Sequence, residues 1–286
     1  MGLIITASFT TLLAVAVFGF LISRITVADD RRVAIAAALI ALPLQPLAFY
    51  LVRMPLHHAL EGWLGNGPAL TTISLFYAPL TEEPAKWLVL LIPFIRRRLA
   101  PGNAVGVALA TGLGFGIGEI WFLAEQMLRV PQLAALPFYM FGGFLGERFM
   151  VVFLHGAFVA FAFKWLAEGR SFWPGAALGV VLHFALNFPI FLVQVDFGGI
   201  GRAAWGLLVQ AYLLVFTIVL IVAVNRLARD RLRASVFGDA TCPECGSVYP
   251  RSMLGFNFLV TRYERCPHCR HWHWVPMNQS KPRSQA

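Results

Sequence analysis

The sequence predicts an all-α polytopic membrane protein of about seven transmembrane helices, N-terminus outside, followed by a small β-rich module at the C-terminus. Three observations predict it: apolar content, the length of the apolar runs, and a duplicated cysteine pattern near the end of the chain. Of the 286 residues, 58% are hydrophobic and only 13% charged, and the mean hydropathy is +0.70. A soluble domain is about 45–50% apolar and about 25% charged, so the composition excludes a disordered chain and argues against a water-soluble fold.

A crossing takes about 20 mostly apolar residues. Such runs occur near 2–23, 33–52, 69–95, 103–128, 147–166, 173–195 and 204–225. Between the second and third, Leu56, Leu60, Trp63 and Leu64 fall at helical spacing, with His57, His58 and Glu61 interleaved. That pattern predicts a short interfacial helix. Segment 130–146, with Pro131, Pro137, Gly142, Gly143 and Gly146, reads as a re-entrant or interfacial piece. The first run is expected to be an uncleaved span, because no positive charge precedes it. The Met1-Gly2…Thr6 match to a myristoylation pattern is then accidental on an outward-facing terminus.

A net charge of +9 could signal a nucleic-acid partner. The charges instead cluster between apolar runs and in the tail. One set of loops holds Arg24, Arg31, Arg32, Arg96, Arg97, Arg98, Lys164 and Arg170; the other holds Arg53, Arg129 and Arg202. The excess places the first set, and the tail beginning Arg226, Arg229, Arg231 and Arg233, on the cytoplasmic side. A nucleic-acid role is set aside, and the basic tail is expected to meet anionic lipid.

Ionisable groups within a span cost about 2.5–3.5 kcal/mol each on the insertion scale and mark function by default. The third run carries Glu82, Glu83 and Lys86, the fourth Phe115 and Glu119, the fifth Arg148 and His155, and the sixth His183 and Asn187. At 1.5 Å per residue these groups lie roughly 15–25 Å from the cytoplasmic helix ends, which permits one shared site. Pro84 directly follows Glu83, and Pro79 stands five residues earlier. The third span is therefore expected to be kinked or broken there, with Pro84 opening a second half-helix. Gly112, Gly114, Gly116 and Gly118 form two small-xxx-small pairs, which predict close helix packing.

At these residues the chain resembles the PrsW family of intramembrane proteases, within the wider group that includes the CAAX prenyl endopeptidases. The matching elements are Glu82-Glu83-x-x-Lys86, Phe115-x-x-x-Glu119, His155 after Arg148, and His183-x-x-x-Asn187, in order over about residues 70–195. The last ends in Asn, as in the CAAX-type enzymes, where PrsW proteins often carry Asp. The resemblance implies endoproteolysis of a membrane-associated protein, a regulatory anti-sigma-factor-like substrate being one case, in a bacterial cytoplasmic membrane. In one mechanism Glu82 or Glu83 deprotonates water, with His155, His183 and Asn187 as partners. In the alternative, His155, His183 and a Glu hold a catalytic zinc. Lys86 and Arg148 position or neutralise the carboxylates. No cysteine lies within a span, so thiol catalysis is excluded there. A proton-coupled transporter and a non-catalytic scaffold are the rivals from other classes, although no inverted repeat is evident.

All four cysteines fall in two C-x-x-C knuckles, Cys242/Cys245 and Cys266/Cys269, separated by 20 residues. This spacing predicts a structural zinc ribbon in which four thiolates close the metal shell. Val248-Tyr249 and Phe256–Val260 are its candidate strands, and Trp272 and Trp274 are expected to pack on it, with lipid contact as the alternative. The domain reading is residues 1–226 for the transmembrane unit, 227–239 for a basic linker, 240–275 for the ribbon and 276–286 for a disordered tail. A cytoplasmic protein partner of the ribbon is a further expectation.

Overall fold

The computed structural model describes residues 1–26, 30–194, 197–199, 201–228, 237–252 and 255–277. Most of the expected basic linker and the polar ending from Asn278 lie outside the described residues. The chain divides into two units, Met1–Val224 and Asn225–Ala286.

The first unit is helical. Helix α1 spans Gly2–Ile25 and α2 Arg31–Ala41. Leu44–Ala48 (α3), a π-helical turn at Phe49–Arg53 and Met54–Leu64 (α4) follow without a break. Residues Arg31–Leu64 therefore form one helical rod of 34 residues. The expected separate interfacial helix is its continuation: α4 is helical but buries no residue. Gly65, at φ 68°, ends it.

The third apolar run differs most from expectation. It divides into Pro68–Ser74 (α5), Tyr77–Trp87 (α6), a 3₁₀ turn at Leu88–Leu91 and Pro93–Arg96 (α7). The breaks fall on either side of the acidic pair and not at it. Pro84 sits inside α6 and opens no second half-helix. Its missing N–H removes one helical hydrogen bond, and Pro79, in the first turn of α6, removes none that the helix needs.

Ala104–Leu128 forms α8, whose residues are buried without interruption from Ala104 to Gly116. A single turn, Pro131–Ala134 (α9), and a 3₁₀ turn at Phe138–Phe141 lead into Gly142–Ala167 (α10). The glycines expected in a re-entrant piece are thus the first turns of α10. Phe172–Gln194 (α11) and Arg202–Leu227 (α12) complete the unit. Among the described residues, six helices are long and apolar enough to cross a membrane, as in a multi-pass membrane protein.

The alternating glycines explain why α8 is central. A Cβ at Gly112 would lie 2.0 Å from the Gly156 nitrogen of α10, and one at Gly116 would meet Val152. A Cβ at Gly114 would lie 1.9 Å from the Ala38 carbonyl oxygen of α2, and one at Gly118 would lie 2.0 Å from that of Leu42. One pair faces α10, the other the α2 rod, and both contacts are backbone to backbone. Gly114→Ala is expected to cost stability at the upper end of about 1–3 kcal/mol, because a backbone carbonyl cannot rotate aside. Thermal unfolding in detergent should show a lowered Tm.

The second unit holds two antiparallel sheets. Asp239–Thr241 (β1) pairs with Val248–Pro250 (β2). Gly255–Phe258 (β3), Thr261–Arg265 (β4) and Trp272–Pro276 (β5) form the other, in that order. The knuckles are built alike. The Cys242 N–H donates to the Ser247 carbonyl and that of Gly246 to Cys242; the Cys266 N–H donates to His271 and that of Arg270 to Cys266. Gly246 (φ 71°) and Arg270 (φ 65°) occupy the same left-handed position in each. Beneath the knuckles, buried Glu264 accepts from Arg262 at 3.1 Å and from the Tyr249 hydroxyl at 3.2 Å. Trp272 and Trp274 do not pack into this core: they are 46% and 53% exposed, with rings against Tyr263.

Candidate functional site

Helix α6 supplies three of the expected groups, and helical geometry sends them two ways. Adjacent residues lie about 100° apart around the axis, so Glu82 and Glu83 point to different sides of α6 and reach His183 at opposite ring nitrogens. Glu83 turns inward with no exposed surface. Its Oε1 accepts from Lys86 Nζ at 2.5 Å and from His183 Nδ1 at 2.6 Å. Lys86, itself fully buried, lies over the rings of Phe115 and Phe158. This gives Phe115 a physical role: its ring also meets the His155 ring edge-on at 4.9 Å.

From Lys86 the contacts run on through α10 and α8. Lys86 Nζ lies 3.2 Å from His155 Nδ1, His155 Nε2 lies 2.9 Å from Glu119 Oε2, and Arg148 Nη1 lies 3.0 Å from Glu119 Oε1. Arg148 also pairs with Glu147. The partners fix the tautomers. An ammonium can only donate, so His155 Nδ1 accepts and its Nε2–H donates to Glu119. His183 Nδ1–H donates to Glu83, and His183 Nε2 lies 3.9 Å from Glu82 Oε2.

Glu82, Glu119, Arg148, His155, His183 and Asn187 all line one cavity of about 750 Å³. Glu83 and Lys86 stand behind its wall. The rest of the lining is largely apolar, including Leu123, Val151, Leu154, Leu186, Ile190 and Leu213. Residues expected on four successive helices therefore meet at one place. The seven-residue and four-residue spacings put Arg148 with His155, and His183 with Asn187, on the same wall. Glu82, Glu119 and His155 offer ligand atoms all within 4.8 Å of one another. His183 is not in that group, so the zinc set expected from two histidines and a Glu is replaced by one histidine and two carboxylates.

Four polar positions of the cavity escaped the sequence reading: Arg53, Glu147, Gln210 and Thr217. Arg53, read as a loop charge, reaches the cavity from the π-helical turn and comes within 3.9 Å of Glu82 Oε1. No local pattern marks it. Gln210 and Thr217 of α12 also line the cavity, and a polar amide inside an apolar run was a usable signal.

Lys86 is the structural hinge of the network. Its ammonium is the cation that compensates the buried Glu83 carboxylate, and removing one partner of a buried pair costs about 3–5 kcal/mol. Lys86→Met is expected to lower the Tm strongly, and adding Glu83→Gln to recover part of the loss. A double-mutant cycle measures the coupling.

In the second unit, Cys242 and Cys269 sulfurs are 3.6 Å apart and those of Cys245 and Cys266 3.8 Å. All four sulfurs lie within 4.8 Å of one another. Sulfurs around a tetrahedral zinc, at about 2.3 Å each, stand about 3.8 Å apart. The set fits a metal such as zinc and leaves no open position. Searches against family models, curated proteins and solved structures give no significant match to the chain.

Proposed function

We propose that the first unit is an intramembrane endopeptidase that cleaves membrane-associated proteins with an activated water. The observation that carries this reading is that Glu82 Oε2 and His183 Nε2 stand 3.9 Å apart on the wall of one cavity lined by apolar side chains and the other expected polar groups. In this reading His183 acts as the neutral Nδ1–H tautomer, so a water held between them is polarised by two acceptors. Its oxygen attacks the scissile carbonyl carbon while Glu82 takes its proton. The Asn187 amide, one turn from His183 and in the same cavity lining, donates to the oxyanion in this reading. The C–N bond then breaks, the leaving amine takes the proton from Glu82, and a carboxylic acid product remains, which loses its proton to solvent on release. Glu83 fixes the His183 tautomer, and Lys86 offsets the Glu83 charge. Arg148 and His155 hold Glu119.

The broken stretch from Pro68 to Arg96 serves as a further crossing in this reading. Its apolar side chains Leu80, Leu88 and Leu91 are exposed, as lipid contact requires. Seven crossings put the N-terminus outside and the second unit in the cytoplasm.

A second reading rests on the Glu82, Glu119 and His155 group. A zinc held there would supply Lewis-acid activation of water.

The test is the purified chain in proteoliposomes with a quenched fluorogenic transmembrane peptide. Cleavage with products of defined mass is the expected result. Proton-coupled uptake without cleavage would overturn it in favour of a transporter. Chelator should leave cleavage unchanged in the metal-free mechanism and abolish it reversibly in the zinc mechanism.

A further inference from the structure

The second unit exposes one face of its three-stranded sheet. Strand alternation sends Arg262, Glu264, His273 and Val275 inward and Tyr263, Arg265, Trp272 and Trp274 outward. With Phe256 opposite Tyr263, and Tyr263 opposite Trp274, the outward row carries five aromatic rings: Phe256, Phe258, Tyr263, Trp272 and Trp274. Phe256 and Phe258 are 72% and 64% exposed.

The hairpin tip beside this row is built against the usual rule. Phe258 pairs with Thr261, so Leu259-Val260 is a two-residue turn. Such turns favour Asn-Gly because they need positive φ. Here Leu259 adopts φ 50° and is 86% exposed, and Val260 is 74% exposed. Two apolar side chains are held out at the tip at the expense of the turn's own stability, so the folded module gains nothing from them.

We infer that this aromatic face and its Leu259-Val260 tip insert into the interfacial region of an anionic lipid bilayer. Charge and reach select lipid as the occupant. Exposed Arg265 and Arg270 border the row. From Arg265 to the C-terminus the sequence holds Arg265, Arg270, Lys281 and Arg283 and no Asp or Glu, while Arg226, Arg229, Arg231 and Arg233 precede the module. Basic side chains of this kind are drawn to anionic headgroups. Tryptophan and tyrosine are the residues enriched at membrane interfaces, with an apolar ring body and a polar handle. The chain from Leu227, the end of apolar α12, to Asp239 spans at most about 40 Å even when extended. That tether keeps the module near a bilayer surface, where a weak insertion is strengthened by high effective concentration.

The experiment uses the full chain labelled with 5-fluorotryptophan in lipid nanodiscs, with Trp272 and Trp274 resonances assigned from Trp272→Phe and Trp274→Phe. In phosphatidylcholine/phosphatidylglycerol discs, a headgroup-attached nitroxide is expected to broaden both resonances at least threefold more than an aqueous gadolinium chelate does. In discs of phosphatidylcholine alone, or in high salt, that ratio is expected to fall toward one. Broadening mainly by the aqueous reagent would show a solvated face and overturn the inference. Protection from both reagents would mean that protein covers it, whether a second copy, a partner or another part of the chain, and would overturn it equally. A ratio unaffected by lipid charge would remove anionic lipid as the occupant. Because the readout is the labelled parent, a misfolded Phe variant affects assignment only, and Trp272→Tyr or Trp274→Tyr replaces it.

Discussion

Glu82→Gln is expected to lower turnover of a transmembrane peptide by about 10²–10⁴-fold, the range spanned by loss of a general base, while the Tm stays near that of the parent. Glu82 faces the cavity, and its nearest cations and rings stand off at 3.9 Å from Arg53 and His183. A neutral amide of the same shape removes the proton acceptor and disturbs little else. Glu83→Gln should look different. It leaves the fully buried Lys86 ammonium without its carboxylate and releases His183 Nδ1. The expected result is a lowered Tm together with lost activity. The two adjacent variants thus separate a group that reacts from a group that positions, by whether activity falls alone or with stability. Retained cleavage in Glu82→Gln, with full loss only in Glu83→Gln, would reverse the assignment.

The acidic pair also shows what the sequence could and could not reveal. Membrane-buried charges are costly enough that Glu82, Glu83, Glu119, His155 and His183 stand out from apolar runs on composition alone, and fixed helical spacing predicts which of them share a face. Which glutamate of an adjacent pair meets the cavity depends on the rotation of α6 about its axis. That rotation is set by packing against α11 and α10, through Lys86 and His183, and carries no local signature. The proline reading failed for a related reason. Pro84 disfavours helix locally, yet the surrounding contacts hold α6 together through it, and the chain breaks instead at Leu75-Phe76 and Ile92. The glycine run succeeded because close approach of backbones needs the absence of a side chain whatever the neighbour is. In the second unit the cysteine spacing was sufficient to predict a four-sulfur cluster that could hold a metal such as zinc. Its strands β1 and β4 were too short, or too rich in charge, to be read from a pattern of period two.

Cys242→Ser combined with Cys245→Ser is expected to unfold residues 239–277 and to leave peptide cleavage by the helical unit intact. Among the described residues, the hydrophobic core of the module is Ala240, Tyr249 and Val275 with Cys242, Cys266 and Cys269, too little for a chain of this size to fold without a metal or cross-link. Buried Glu264, Arg251 and Arg262 add desolvation cost that the fold must offset. Metal binding is then most of the folding free energy, and loss of two thiolates removes it. Limited proteolysis should cut the tail of the variant while the helical unit stays resistant, and bound zinc should fall to the level of the helical unit alone. The same variant resolves the chelation experiment. Its module holds no zinc to strip, so any remaining chelator sensitivity of cleavage belongs to Glu82, Glu119 and His155. Cleavage that resists chelator in this variant supports the carboxylate mechanism, and cleavage lost and restored by added zinc supports the metal one. Complete loss of peptide cleavage in a membrane-inserted variant with its helical unit folded would show that the module takes part in the reaction itself.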